Sequence, residues 1–520
     1  YSGSVRIPEG ATVELNGACE IAEDLVVDGV LTHKITAKVE EALEVKVGGT
    51  LIVSDTGRIT ADERSSLLDG NFAFMAYGGA ACLDSICTKA YGSISDPMDL
   101  GRNCNKNAYS LCKYSGNAGG FIKIATKHLV LNGTIAARGK GCSSGGAVNI
   151  KITGSGTVTG TGLIDVSTFG SGNSYQSYEQ SGGGRISLTG YSSVSDVIVE
   201  RAKTDGWQGA PGTFYHQQIG QLPEVIVKST ASVATSESAV AILIPEQVRR
   251  LAIYNVKVEV DVIDAADMLV IDELDVMAKA SDTRLTINQA SLKVSATPIL
   301  ASSRFTILVP NGDLNVQGNL TVTASNFITV KDDIAVTGLC TVEGTLTAQA
   351  GALDIDELVV SGGTVSQVNA ALDNPSTIDN VLLEVSTITK KAAAFNVNGN
   401  IEAREVVIKK SCTLTAKSNL TAANIHLEGS LKLITAGTVF KSVDTLTLVQ
   451  YGNLDVKGHL VSGNMVTKGG SVVTTAQTTD TQVSTLQIDE DSSWTMTGGS
   501  IQVDDVTIGG QLAHAATQTV

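Results

Sequence analysis

The sequence predicts an all-β protein: a right-handed parallel β-helix, or solenoid, with a Cys-rich irregular insertion. The first reason is a run of three glycine-punctuated units between Gly116 and Tyr215, each with a short alternating strand, a turn, a second strand and a glycine corner. Units of this size cannot bury their own apolar faces, so neighbouring copies must stack. The second reason is that aromatic residues make up only 4% of the chain, which favours stacked rows of small β-branched side chains over a compact globular core.

Turn signals recur about every ten residues, without the linkers that would separate globular domains. The 520 residues include only 8 prolines and no block of like charge. We therefore predict one elongated array in four segments. These are 1–64 (N-terminal coils), 65–118 (the Cys-rich insertion), 119–218 (glycine-rich coils) and 219–520 (C-terminal coils).

The strands of each segment follow from alternation of apolar and polar residues. Leu43–Val53 is an example in the N-terminal coils and Gly119–Ile124 in the glycine-rich coils, where Val197–Val199 is predicted as a strand of the third unit. Helical signals are few: Val39–Leu43 and Glu246–Leu251 each predict about a turn or two. In the C-terminal coils, glycine corners at unequal spacing indicate variable loops. These corners include Gly318, Gly338, Gly344, Gly399, Gly429 and Gly458.

Cysteine is concentrated near the irregular insertion. A long irregular segment has no core of its own, so disulfides are the expected cross-links, although the pairing cannot be deduced from spacing. Zinc is the alternative, but it favours close CxxC-type pairs, and no histidine lies near these cysteines. The six candidates are Cys19, Cys82, Cys87, Cys104, Cys112 and Cys142. Cys340 and Cys412 lie in strand-like contexts and are predicted to be small apolar core residues.

Three acceptor tripeptides for N-glycosylation occur, at Asn132, Asn319 and Asn419. Asn319 and Asn419 share a setting in which the following leucine points inward and the asparagine therefore points outward. Together with the cysteines, this predicts an extracellular protein of eukaryotic origin. The chain begins at Tyr1 with no signal-peptide pattern, so we expect a processed form or a segment of something longer.

The charge excludes several classes of partner. A net charge of −16 leaves no basic stripe for nucleic acid and argues against binding to an anionic membrane surface. No apolar run approaches the ~20 residues that a bilayer span needs. The six histidines are scattered, and no phosphate-binding loop, nucleophile elbow or calcium nonapeptide occurs, so no cofactor is predicted.

Short motifs occur in a fixed order through the N-terminal part. They are Gly57–Ala61, Tyr91–Ser93 with Pro97 and Gly101, Gly119–Ile124, Gly133–Ala137, Gly183–Ile186 and Gly212–Tyr215. In this order they resemble a family of very large glycine-rich surface proteins of protists and other eukaryotes, over about a third of the chain. The sequence departs from that pattern at Ile164–Val166 and in its extra cysteines. The resemblance implies an extracellular structural or adhesive β-solenoid, as in flagellar hairs (mastigonemes) or another surface filament, and no catalytic residues.

We therefore predict a non-enzymatic subunit of a surface filament or an adhesive stalk, acting through stacking and lateral or end-to-end assembly. Its partners would be further copies or other filament proteins, with glycans as a further class. The alternatives are a carbohydrate-active β-helix enzyme, a lyase or hydrolase, and a glycan-binding module.

Two sets of residues bear on these alternatives. Paired carboxylates facing one groove would favour the enzyme, whereas the simpler interpretation of such pairs is solvated charge. The candidates are Asp332 with Asp333, Asp354 with Asp356, and Asp504 with Asp505. An exposed aromatic platform would favour the binding module, for which Trp207 and Tyr215 are candidates, with loop packing as the simpler interpretation.

Overall fold

The chain forms the all-β, parallel β-helix that the sequence predicts. A computed structural model describes residues 1–66, 77, 81–83, 86–88, 91–103, 117–141, 143–169, 181–206, 209–229, 239–278, 283–302, 304–368, 376–384, 392–476 and 480–514. Strands make up 61% of the structure and helices 3%, and the parallel coils number about 19. Two compact units are present, Tyr1–Asn288 and Gln289–Val520.

The first unit contains one short α-helix, α1 (Asp196–Arg201), and two 3₁₀ turns, Val39–Glu41 and Ile263–Ala265, among its described residues. Its strands are β1 (Val5–Ile7), β2 (Thr12–Leu15), β3 (Ala18–Ile21), β4 (Leu25–Val27), β5 (Val30–His33), β6 (Leu43–Val53), β7 (Arg58–Thr60), β8 (Ala81–Leu83), β9 (Ile86–Thr88), β10 (Phe121–Leu131), β11 (Thr134–Ala136), β12 (Gly139–Lys140), β13 (Ala147–Ile152), β14 (Thr157–Thr159), β15 (Leu163–Asp165), β16 (Thr168–Phe169), β17 (Arg185–Tyr191), β18 (Ser193–Val194), β19 (Thr213–Gln218), β20 (Glu224–Lys228), β21 (Ala239–Ile244), β22 (Gln247–Tyr254), β23 (Lys257–Val262), β24 (Met268–Ala278) and β25 (Thr283–Ile287).

From Ile334 onward, the second unit alternates strands of eight to ten residues with strands of four residues. Its strands are β26 (Ser291–Val294), β27 (Ile299–Ser302), β28 (Phe305–Val309), β29 (Leu314–Val316), β30 (Leu320–Val322), β31 (Phe327–Val330), β32 (Ile334–Val342), β33 (Thr345–Ala348), β34 (Leu353–Ser361), β35 (Thr364–Gln367), β36 (Ser376–Glu384), β37 (Ala394–Val397), β38 (Ile401–Ile408), β39 (Thr413–Ala416), β40 (Leu420–Leu427), β41 (Ser430–Leu433), β42 (Val439–Leu448), β43 (Asn453–Val456), β44 (His459–Thr467), β45 (Val472–Thr475), β46 (Asp480–Ile488), β47 (Ser493–Met496), β48 (Ser500–Ile508) and β49 (Gln511–His514).

Apolar ladders along the stack hold each unit together. In the four-residue strands of the second unit from β31 to β47, the second and fourth residues point inward and the first and third point outward, because side chains alternate along a strand. One inward row is fully buried and continues from coil to coil through parallel pairing. It consists of Leu346, Val365, Phe395, Leu414, Leu431, Leu454, Val473 and Trp494. Each such side chain contributes about 1.5–3 kcal/mol by burial.

Glycine marks places where one coil touches the backbone of the next. A Cβ built on Gly156 would lie 1.5 Å from the carbonyl oxygen of Lys127, and one on Gly212 would lie 1.6 Å from that of Gly184. No side chain fits at these distances, so the glycine-rich corners are required for close stacking in the first unit.

The direction of the coil strands reverses between β19 and β20. β17 pairs with β19 in parallel, but β19 and β20 form an antiparallel hairpin in which Tyr215 lies opposite Val225. Parallel pairing then resumes between β20 and β22. The turn of this hairpin contains Gly220, at φ +72°, followed by Pro223. The hairpin therefore separates two runs of parallel coils within the first unit.

Two local predictions are wrong. Val197–Val199 lies within α1 instead of a strand, because Asp196 in the first turn and Arg201 in the last complement the helix dipole and Ile198 is fully buried. Glu246–Leu251 is not helical, since Gln247–Tyr254 forms β22 between β20 and β24. Tertiary pairing there overrides the local helical signal.

Candidate functional site

The described part of the insertion lies on the outward face of the glycine-rich coils. Asn149 of β13 donates to the Asp96 carboxylate at 2.6 Å, and the Ser187 hydroxyl of β17 donates to the Ser95 carbonyl at 2.6 Å. The segment 91–103 therefore crosses several coils as a strap, and it is held mainly by side chains that alternation turns outward.

A buried arginine lies at the centre of this contact. Arg185 Nε donates to the Tyr91 carbonyl at 2.9 Å, and its Nη1 donates to the Thr213 hydroxyl at 3.0 Å. The guanidinium carbon lies 6.0 Å from the centroid of the Tyr77 ring. Burial lowers the pKa of Arg185 to about 10, while the Arg185 charge partly offsets the rise that burial causes in the pKa of Asp99. Because Arg185 is only 1% exposed, it acts as an internal clamp for the insertion and not as a ligand-binding cation.

A second polar cluster lies at the β19–β20 hairpin. His216 continues an inward row of Val45, Ile124, Ile150 and Leu188, and it is 4% exposed. Its Nδ1 lies 2.7 Å from the Tyr191 hydroxyl, and its Nε2 lies 3.6 Å from Glu224.

Two arginines lie close to the Glu224 carboxylate. Arg249 is ion-paired with Glu224, and Arg250 lies 3.9 Å from Glu224 and pairs with Asp275 at 2.5 Å. Burial, with further contributions from both arginines, lowers the pKa of His216 to about 4. Burial raises the pKa of Tyr191 to about 12. The cluster therefore holds neutral histidine and tyrosine inside the stack at neutral pH.

The cysteines divide by environment. Cys340 and Cys412 are buried and unpaired, as predicted, and burial raises the pKa of the Cys340 thiol to about 12. Cys19 is half-buried and forms no disulfide in the structure. Cys82 and Cys87 are register partners in the antiparallel pair β8–β9, an arrangement whose Cα separation suits a disulfide. Cys104, Cys112 and Cys142 lie outside the described residues, so the disulfides stay a prediction.

The three predicted glycosylation sites are all exposed. Two of them also have a structural task at a corner of the coil. Asn319 Oδ1 accepts the backbone N–H of Leu339 at 3.0 Å, and Asn419 Oδ1 accepts that of Val439 at 2.7 Å. Asp333 makes the equivalent contact with the N–H of Ala352 at 2.7 Å. A glycan is attached through the amide nitrogen, which leaves the accepting oxygen in place, so both roles are compatible.

The predicted carboxylate pairs do not form enclosed sites. Four of these carboxylates are exposed: Asp354, Asp356, Asp504 and Asp505. Asp333 accepts the backbone N–H of Ala352 at the corner described above. Register places Asp356 beside Asp379 on the next coil, because Ile355 pairs with Ile378 and Glu357 with Asn380. Asp379 is also exposed. These side chains are in contact with solvent.

Other predicted features are as follows. Trp207 lies outside the described residues, and Tyr215 is 5% exposed, so Tyr215 offers no platform for a sugar ring. Across the described ranges, no group of three or more histidine, cysteine or acidic side chains is arranged to hold a metal ion. Nor does any helix among these residues have the length and apolar character needed to cross a membrane.

A groove that sequence analysis missed lies on the second unit. It has a volume of about 800 Å³ and is open on one side. Its floor includes Gly344 and Gly363, and Phe327, 44% exposed, stands at its edge. The sequence feature that could have revealed the groove is Phe327, at the outward first position of a four-residue strand. Thr345 and Thr364 occupy the same position in the next two coils.

Comparisons of this chain with protein-family models, with curated proteins and with solved structures found no match.

Proposed function

We propose that this chain is an extracellular structural protein, a subunit of a surface filament or an adhesive stalk that works through coil-on-coil stacking. The observation that carries the proposal is the continuity of the buried ladders. Each coil of the second unit places its inward residues directly on those of the coil before, so that the same core continues from Leu346 to Trp494. In such an array each coil contacts only its neighbours, and the stack can be extended by adding coils.

The last described coil supports this proposal. Its Val506, Ile508 and Leu512 are 51%, 45% and 39% exposed. Their register partners one coil earlier, including Leu486 and Trp494, are buried. A further β-coil would bury this apolar surface and would also pair with the N–H and C=O groups of the edge.

The net charge of the protein favours assembly through apolar edges. A protein with a net charge of −16 repels its own copies through most of its surface. Apolar edges, where burial offsets this repulsion, are then the favoured points of contact.

Sedimentation velocity of the purified chain over a range of concentrations tests the proposal. We expect association that weakens when Val506→Lys places a charge on the last coil. Val443→Lys is the matched control, because Val443 is 50% exposed on the longer strand β42, within the stack. A chain that stays monomeric at every concentration, or that associates equally in both variants, would contradict coil-on-coil assembly.

A further inference from the structure

The groove beside Phe327 has a floor without side chains. A Cβ on Gly344 would lie 2.4 Å from the Asn326 carbonyl oxygen, and one on Gly363 would lie 2.5 Å from that of Val342. Backbone hydrogen bonds fix this floor: the N–H of Thr345 donates to Asn326 and that of Thr364 donates to Gly344, at 2.9 and 2.8 Å. The depression is therefore built into the coils, and it does not depend on the rotamer of a long side chain.

The position of the Phe327 ring follows from the residue before it. Asn326 is fully buried, and its Oδ1 accepts the N–H of Phe305 at 2.8 Å while its amide nitrogen donates to the Thr323 hydroxyl. This anchored corner starts β31 so that Ile328 points inward and Phe327 outward. The exposed ring therefore offers an apolar face to a ligand in the groove.

Polar residues follow Phe327 in a row along the stack. Phe327, Thr345 and Thr364 are register partners on three successive coils, so they follow one another at about 4.8 Å. Ser325 and Glu343 line the same groove, together with Arg304. The volume of this groove is within the range of small-molecule sites, and its lining offers several polar side chains beside one exposed aromatic ring.

We infer that this groove binds a neutral, hexose-based oligosaccharide laid along the stack. One face of a pyranose ring carries C–H groups that pack on the electron-rich face of an aromatic ring, and its hydroxyls need donors and acceptors. Phe327 supplies the ring, and Thr345, Thr364 and Glu343 supply hydroxyls and a carboxylate. The coil spacing is comparable to the length of one sugar unit, so successive sugars meet successive coils.

The charge of the protein favours a neutral sugar. The chain carries a net charge of −16, while half-buried Glu343 and exposed Arg304 in the groove itself have opposite charges. The net negative charge of the chain therefore disfavours an acidic sugar. This inference does not depend on assembly of the chain, since every residue of the groove belongs to the second unit.

The test uses the full chain and defined probes. Gluco-, manno-, galacto- and N-acetylglucosamine-configured hexasaccharides and an acidic galacturonate hexasaccharide are immobilised on an array, and the affinity of each neutral probe that binds is measured by titration calorimetry. We expect at least one neutral probe to bind. Phe327→Ala should weaken that binding by about tenfold or more, whereas Phe327→Trp should retain it. Thr364→Val should weaken it about fivefold.

Val472→Ala is the matched control, because Val472 lies in the same outward row of the same unit, 41% exposed and away from the groove. It should leave the affinity unchanged. No binding of any neutral probe, binding of the galacturonate alone, or binding that survives Phe327→Ala would overturn the inference. Circular dichroism of each variant verifies that the fold is intact.

Discussion

Truncation of two phenylalanines in the short strands of the second unit should lower the free energy of unfolding by different amounts. Phe395 lies inside the stack, 0% exposed, between Val365 and Leu414 on the neighbouring coils. Phe327 occupies an outward position and is 44% exposed. Burying about 150 Å² of phenylalanine at about 25 cal/mol per Å² gives about 4 kcal/mol, within the range of about 3–5 kcal/mol for buried Phe→Ala substitutions.

We therefore expect Phe395→Ala to lower the free energy of unfolding by about 3–5 kcal/mol, and Phe327→Ala to lower it by no more than about 2 kcal/mol, because Phe327 is 44% exposed. The assay is urea denaturation followed by circular dichroism in the β-sheet region. Because coils interact only with their neighbours, Phe395→Ala should also produce an earlier, partial transition. A loss below about 1 kcal/mol for Phe395→Ala, or equal losses for both variants, would refute the ladder as the source of stability.

Four further predictions concern single features. The folded-state pKa of His216 is about 4, which lies below the ordinary value of histidine. As the pH falls, the unfolded chain therefore takes up a proton at this histidine before the folded chain does. The stability that is present above about pH 6.5 is lost as the pH falls towards 4, by about 3 kcal/mol. His216→Gln should remove that part of the pH dependence in urea midpoints, and His459→Gln at a 40% exposed side chain should not. Equal pH profiles for wild type and His216→Gln would contradict the burial of this histidine. Gly156→Ala, where a Cβ meets backbone at 1.5 Å, should lower the melting temperature, by about 2 °C for each kcal/mol lost in a unit of this size. Gly3→Ala, with nothing within 4 Å, should leave the melting temperature unchanged, and equal shifts would refute close stacking. When the chain is secreted from eukaryotic cells, peptide mapping should find glycans on the predicted asparagines, and unmodified peptides throughout would refute that prediction. The same maps without reductant should contain cross-linked peptides from the N-terminal cysteines, and free thiols at all six would refute the disulfide framework.

The alternation of apolar and polar residues made the fold predictable, because short alternating strands can bury their apolar faces only when successive coils stack. Glycine corners such as Gly212 were likewise visible, since close backbone contact leaves glycine as the residue that fits. The hairpin between β19 and β20 was not predictable, because alternation carries no information about strand direction. Helix α1 was missed for a similar reason, since three apolar residues in a row suit either structure.

The groove depends on contacts across coils, which a linear sequence hides. Phe327 and Gly363 are 36 positions apart, and only the register of β31, β33 and β35 brings the ring and the glycine floor together. The corner asparagines show the converse case. Their outward position was predictable from alternation, but their bonds to the next coil were not, because those bonds need a partner N–H about 20 residues later.

Electron microscopy of the protein, purified without denaturation from the cells that make it, tests the central claim most directly. The account predicts ordered filaments or stalks with a regular axial repeat, in which this chain is an integral component. Dispersed single particles at every concentration, with no filament that contains the chain, would contradict it.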